Sequence, residues 1–91
     1  MIAFVFLQTA PHRGDPATFV ARIPEVEEVH RVAGEDCYIV RVRVANTEEL
    51  GCLVRDKIER IKSVSSTRTT LVLKTLKEKK PVAGTSRALR R

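Results

Sequence analysis

The run Ile2-Ala3-Phe4-Val5-Phe6-Leu7-Gln8 does most to limit what this chain can fold into. In an extended chain, successive side chains point to opposite faces. Ile2, Phe4 and Phe6 therefore share one face, and Ala3, Val5 and Leu7 share the other. A strand that is apolar on both sides has to be covered twice. The chain has 91 residues, enough for one small domain. Helices within it can cover one face. A second copy is the economical cover for the other.

The rest of the chain supplies the elements for such a layer. Thr9 to Gly14 reads as a loop. Asp15 looks like a helix N-cap with Pro16 at the first helical position, and Phe19 and Ile23, four apart, are expected to face the core. Pro24 ends that helix. Val26, His30 and Val32 fall at even spacing in a second strand, with Val29 opposite. Gly34-Glu35-Asp36 is a short turn. Cys37 to Val44 is the clearest strand: Tyr38, Val40, Val42 and Val44 line one face, with Ile39, Arg41 and Arg43 on the other. The arginines are expected to pair with Glu27, Glu28 or Glu35.

Asn46 and Glu49 make a capping-box-like start for a helix of about four turns, whose apolar stripe is Leu50, Leu53, Val54, Ile58 and Ile61. Gly51 inside it costs ~1 kcal/mol relative to alanine, and close approach to the sheet would explain it. The last strand is expected from Val64 to about Leu76. It places Thr67 and Thr69 on one face with Leu71 and Leu73, so two hydroxyls that need partners enter an apolar surface together. The order strand–helix–strand–strand–helix–strand predicts a ferredoxin-like α+β fold, βαββαβ. It has a four-stranded antiparallel sheet, both helices on one face, and an open face that dimerises into an α+β barrel.

The net charge of +6 is not spread evenly. Residues 1–73 carry ten basic and ten acidic side chains, whereas residues 74–91 carry seven basic ones against Glu78 alone. The reading is a neutral domain over 1–77 and a basic, disordered tail over 78–91. No apolar run is long enough to span a bilayer, and no secretory leader precedes the first strand, so a cytoplasmic location and no membrane partner are expected. Cys37 and Cys52 are expected to be free thiols. With His12 and His30 they form no zinc pattern. No nucleophile–base pair or phosphate loop stands out. No catalytic residue, metal or cofactor is expected.

Three segments carry a resemblance: Ile23-Pro24-Glu25-Val26, Val32 through Tyr38, and Val64 through Leu73. Over about residues 1–77 the chain resembles the effector (RAM) domain of Lrp/AsnC transcriptional regulators. The most specific marker is the Val-x-x-Thr-x-Thr-x-x-Val-Leu pattern of the last segment. The chain is similar to the stand-alone form, without a helix-turn-helix domain, so no direct sequence-specific DNA binding is expected. Many members carry Gly-x-x-Asp in the turn; here Cys37 holds that place and the acid falls one earlier, at Asp36. The resemblance implies a small amino-acid effector bound between dimers in a ring of four or five dimers. The turn of one dimer and the last strand and second helix of the next would form the pocket. It maps ligand contacts to Gly34, Glu35, Asp36, Cys37, Tyr38, Thr67 and Thr69, and it implies assembly with a full-length regulator as the route to transcription.

Two other functions fit the same architecture. An RNA-binding module would stack bases on central-strand aromatics; Phe4, Phe6 and Tyr38 are available, but the glycine–aromatic motif and a basic sheet face are missing. A purely structural assembly domain would keep the self-association and bind no effector.

Overall fold

The computed structural model describes residues 1–10 and 12–79. Strand β1 (Ile2–Thr9) lies inside the sheet, pairing antiparallel with β3 (Tyr38–Arg43) on one side and β4 (Val64–Leu71) on the other. Strand β2 (Val26–Arg31) flanks β3, which gives the order β2-β3-β1-β4. Helix α1 (Ala17–Ala21) follows β1 and helix α2 (Thr47–Cys52) follows β3. The fold is the ferredoxin-like βαββαβ expected from the element order.

The core forms on one face of the sheet. Ala3, Val5 and Leu7 of β1 meet Tyr38, Val40 and Val42 of β3, and Val20, Leu50, Leu53 and Ile58 of the helical segments close over them. On the opposite face Ile2, Phe4, Phe6 and Ile39 are only half-buried. The Arg68 guanidinium lies 4.3 Å from the centre of the Phe6 ring. Arg41 and Arg43 on that face both bind Glu27, at 3.0 and 2.6 Å. The alternation in β1 thus sorts one apolar run into a packed side and a side left half covered.

Several local expectations are corrected. The N-cap of α1 is Pro16 and not Asp15, which stands one residue earlier and accepts the Ala17 N–H at 2.9 Å; Val20, not Phe19, is the buried residue of the helix. Ala17 and Val20, one turn apart, set the inward face of this five-residue helix, and Phe19 is left 57% exposed. In β2 an irregularity between Val26 and Glu28 adds a residue, so Val26 and Val29 both pack on the core. The long second helix is α-helical only to Cys52; Leu53–Ile58 winds as a π-helix, and Glu59 N–H donates to Val54 O, five residues back, at 2.8 Å. Leu53 and Ile58, five apart, are both buried in the core. Strand β4 ends at Leu71, and Leu73 and Leu76 are 92% and 85% exposed. The expected tail over 78–91 lies outside the described residues except for Glu78 and Lys79.

Gly51 is exposed, and a Cβ added there would meet nothing within 4 Å. Close approach to the sheet therefore does not explain it. Chemical denaturation of Gly51→Ala is expected to show a gain of about 0.5–1 kcal/mol from helix propensity. Ile58→Ala, which empties a fully buried site, is expected to lose about 2–5 kcal/mol.

Candidate functional site

The turn between β2 and β3 is held at both ends. Val32 N–H donates to Cys37 O at 3.1 Å, and Cys37 N–H donates to Leu7 O at 2.9 Å. Gly34 sits at φ +151°, in the region that favours glycine, and lets the chain reverse. Among the described residues, the amides of Gly34, Glu35 and Asp36 donate to no protein acceptor. Consecutive free amides of this kind make a concavity suited to an anion.

Beside the turn lies a cleft of about 480 Å³ whose lining includes Asp15, Arg31, Gly34, Asp36, Cys37 and Tyr38. The cross-strand pairing of Arg31 with Tyr38 and the place of Asp15 just before the N-cap of α1 bring three polar groups together. The Tyr38 hydroxyl donates to Asp15 Oδ1 at 2.6 Å, and Arg31 Nη2 donates to Asp15 Oδ2 at 3.0 Å. The Tyr38 hydrogen bond, followed by the Ala17 N–H, holds the Asp15 carboxyl below the ordinary aspartate range. The same Asp15 contact pushes the Tyr38 hydroxyl up. Asp36 accepts from Gln8 Nε2 at 3.0 Å and from Arg68 Nη2 at 2.7 Å. The Thr9 hydroxyl donates to Cys37 Sγ at 3.3 Å and lowers the thiol's pKa.

Thr67 and Thr69 stand elsewhere. They pair with Leu7 and Val5 on the helix-bearing face, at the edge of the sheet. Thr67 Oγ1 donates to Glu59 Oε2 at 2.8 Å. Thr69 lines a second groove, of about 410 Å³, with Thr47, Leu50, Gly51, Arg55 and Glu59. A single chain thus gathers its expected ligand residues into two separate clusters. Gly34, Asp36, Cys37 and Tyr38 line the cleft; Glu35 is exposed and contributes its carbonyl to Gln8. Among the described residues no group of three or more His, Cys, Asp or Glu side chains could hold a metal ion.

Residues 2–82 match the family model described as the Lrp/AsnC ligand binding domain. The chain belongs to the Lrp/AsnC ligand-binding domain family. An HTH-type transcriptional regulator of Pyrococcus horikoshii is 41% identical over 80 residues, which cover 84% of this chain and 53% of that protein. The chain spans about half the length of the curated regulators it matches. A feast or famine regulatory protein from M. tuberculosis, solved in complex with L-methionine, superposes with a TM-score of 0.78. It is 34% identical and covers 89% of this chain and 55% of its own. A Thermus thermophilus protein superposes with a TM-score of 0.75 at 28% identity, covering 85% of this chain and 98% of its own.

In this Lrp/AsnC domain, sequence reading missed Asp15 and Arg31 as cleft residues. Asp15 carried a plain capping signal that hid its second role, 23 positions from Tyr38. Arg31 becomes a neighbour of Tyr38 only once the hairpin register is fixed. Arg55 and Glu59 of the second groove lay on the polar side of a helix stripe and gave no signal at all.

A depressed folded-state carboxyl pKa contributes stability that is present above the unfolded value, about 3.9 for aspartate, and is lost as pH falls through the folded value. Asp15 follows this sign. The Tyr38 hydroxyl, raised in the fold, contributes stability that is lost as pH climbs beyond about 10. Carboxyl-carbon NMR is expected to place the Asp15 titration below the ordinary range in the native chain, and to move it upward in Tyr38→Phe. No movement would remove the hydroxyl as the main cause.

Proposed function

We propose that this domain binds a free amino acid, or a similarly small zwitterion, in a composite site made when two of its dimers meet. The turn cleft of one dimer faces the α2–β4 groove of the next, and neither is complete alone. The observation that carries this reading is the division of the candidate residues into two open clusters of different chemistry. The unpaired amides at 34–36 suit a carboxylate, and Asp36, whose oxygens accept one hydrogen bond each, keeps lone pairs for an ammonium group. The groove adds the Thr69 hydroxyl and the apolar wall of Leu50 and Val54, the usual combination in a pocket that selects a side chain. Gly34, Glu35, Asp36, Cys37, Tyr38, Thr67 and Thr69 are the proposed contacts or their immediate supports. L-methionine in the related M. tuberculosis protein supports an amino acid as the ligand class.

The half-covered sheet face supports self-association as the first step. The dimers then close into a ring of four or five, and effector binding shifts the balance between ring and free dimer. Transcription is reached through a full-length regulator of the same family that joins the assembly. Relatives from Pyrococcus are named as HTH-type transcriptional regulators, which supports regulation over catalysis.

Thermal denaturation of the full chain against each of the twenty amino acids tests the binding step. A ligand at a hundredfold excess over its Kd adds about 2.7 kcal/mol, which raises the Tm by several degrees in a domain of this size. At least one amino acid is expected to do so, and Asp36→Asn and Thr69→Val are each expected to abolish most of the shift. If none of the twenty moves the Tm, the effector role fails and an assembly role alone is left.

A further inference from the structure

Ten basic side chains fall in residues 1–73. Arg31, Arg41, Arg43, Arg55, Lys57 and Arg68 each hold an ion pair with a carboxylate. Arg13, Arg22, Arg60 and Lys62 hold none among the described residues. Three of these four line a single groove of about 460 Å³, between α1 and the turn at 60–63, together with Phe19, Ile61 and Ser63. No carboxylate of the described residues lines it. The loop and the turn are tied by the Ala10 N–H, which donates to Ser63 O at 2.8 Å. Phe19, the residue that α1 turns away from the core, presents its ring there at 57% exposure.

Charge and shape together narrow the occupant. Three uncompensated cations around one small groove favour a ligand carrying more than one negative charge. Two of them are arginines, whose planar forks match phosphate oxygens in pairs. The exposed ring and Ile61 offer a flat apolar surface of the kind on which a nucleobase stacks. Among the described residues the lining comes from residue 13, residue 19 and residues 60–63, which form a compact pit and not a track for an extended polymer. Its volume falls in the range of small-molecule sites.

We propose that this groove binds a mononucleotide, with the base against Phe19 and Ile61 and the phosphate among Arg13, Arg60 and Lys62. The site is separate from the turn cleft and from the α2–β4 groove, with which it shares no lining residue. It gives the domain a second input that does not depend on the amino-acid reading above. Phosphate held by surface cations binds less tightly as salt rises.

The test is titration of the full, isotope-labelled chain with AMP, adenosine, ribose 5-phosphate and a single-stranded oligoadenylate, followed by amide NMR. AMP is expected to saturate, with shifts centred on Arg13, Phe19 and residues 60–63. Adenosine and ribose 5-phosphate are each expected to bind at least about tenfold more weakly. Arg60→Ala and Phe19→Ala are each expected to weaken AMP by about tenfold or more, with unchanged far-ultraviolet circular dichroism, since both side chains are exposed. Four results would overturn the proposal. They are no saturation at millimolar AMP, equal binding of adenosine, shifts centred on the turn cleft, and AMP binding unaffected by either variant. Tighter binding of the oligoadenylate, with shifts running beyond the groove, would also reject it in favour of a nucleic-acid interface.

Discussion

Strand β1 is the constraint on which the rest of the molecule depends. It lies between β3 and β4 and alternates apolar residues on both faces. On one side Ala3, Val5 and Leu7 are fully buried beneath the helices. On the other, Ile2, Phe4 and Phe6 are half-buried, with the Arg68 guanidinium over Phe6 and Glu78, from the segment after β4, 3.8 Å from Arg41 on the same face. Burial of apolar area is worth roughly 25 cal/mol per Å², so two phenylalanines and an isoleucine held half open represent a standing drive toward association. The Glu27–Arg41–Arg43 cluster on the same face limits how partners can meet, because paired charges lose hydration when they are covered.

The two candidate clusters follow from topology. The β2–β3 turn lands beside the end of β1, where Gln8 and Arg68 fix Asp36, while the chain leading into α1 delivers Asp15 to Tyr38. The second groove exists because β4 is an edge strand and the helix above it ends in a π-turn. Segments of π-helix are often found at functional sites; here the winding buries Ile58 and leaves Arg55 and Glu59 at the groove. If the two surfaces meet across dimers as proposed, ligand binding and assembly would share one set of contacts.

The sheet was legible because period-two alternation is strong in β1 and β3: the inward faces Ala3-Val5-Leu7 and Tyr38-Val40-Val42 are the ones observed. The helices were less so. Five residues carry too little periodicity to choose between Phe19 and Val20, and α-helical spacing cannot foresee the π-helical winding of Leu53–Ile58. The extra residue in β2 defeated simple alternation in the same way. Arg41 and Arg43 were read as paired, and Glu27 is the partner among the three acids considered. Within the candidate site, the turn residues announced themselves through Gly34. Asp15 and Arg31 did not, because their meeting with Tyr38 is a product of register and not of local sequence.

Sedimentation equilibrium of the full chain, from micromolar to millimolar concentration and paired with Phe4→Glu, tests the two-sided strand most directly. The native chain is expected to sediment as a dimer or larger closed assembly, and to dissociate to folded single chains when a charge is placed on the open face. A native chain that keeps the mass of one subunit throughout, with Phe4 and Phe6 still open to solvent, would contradict it.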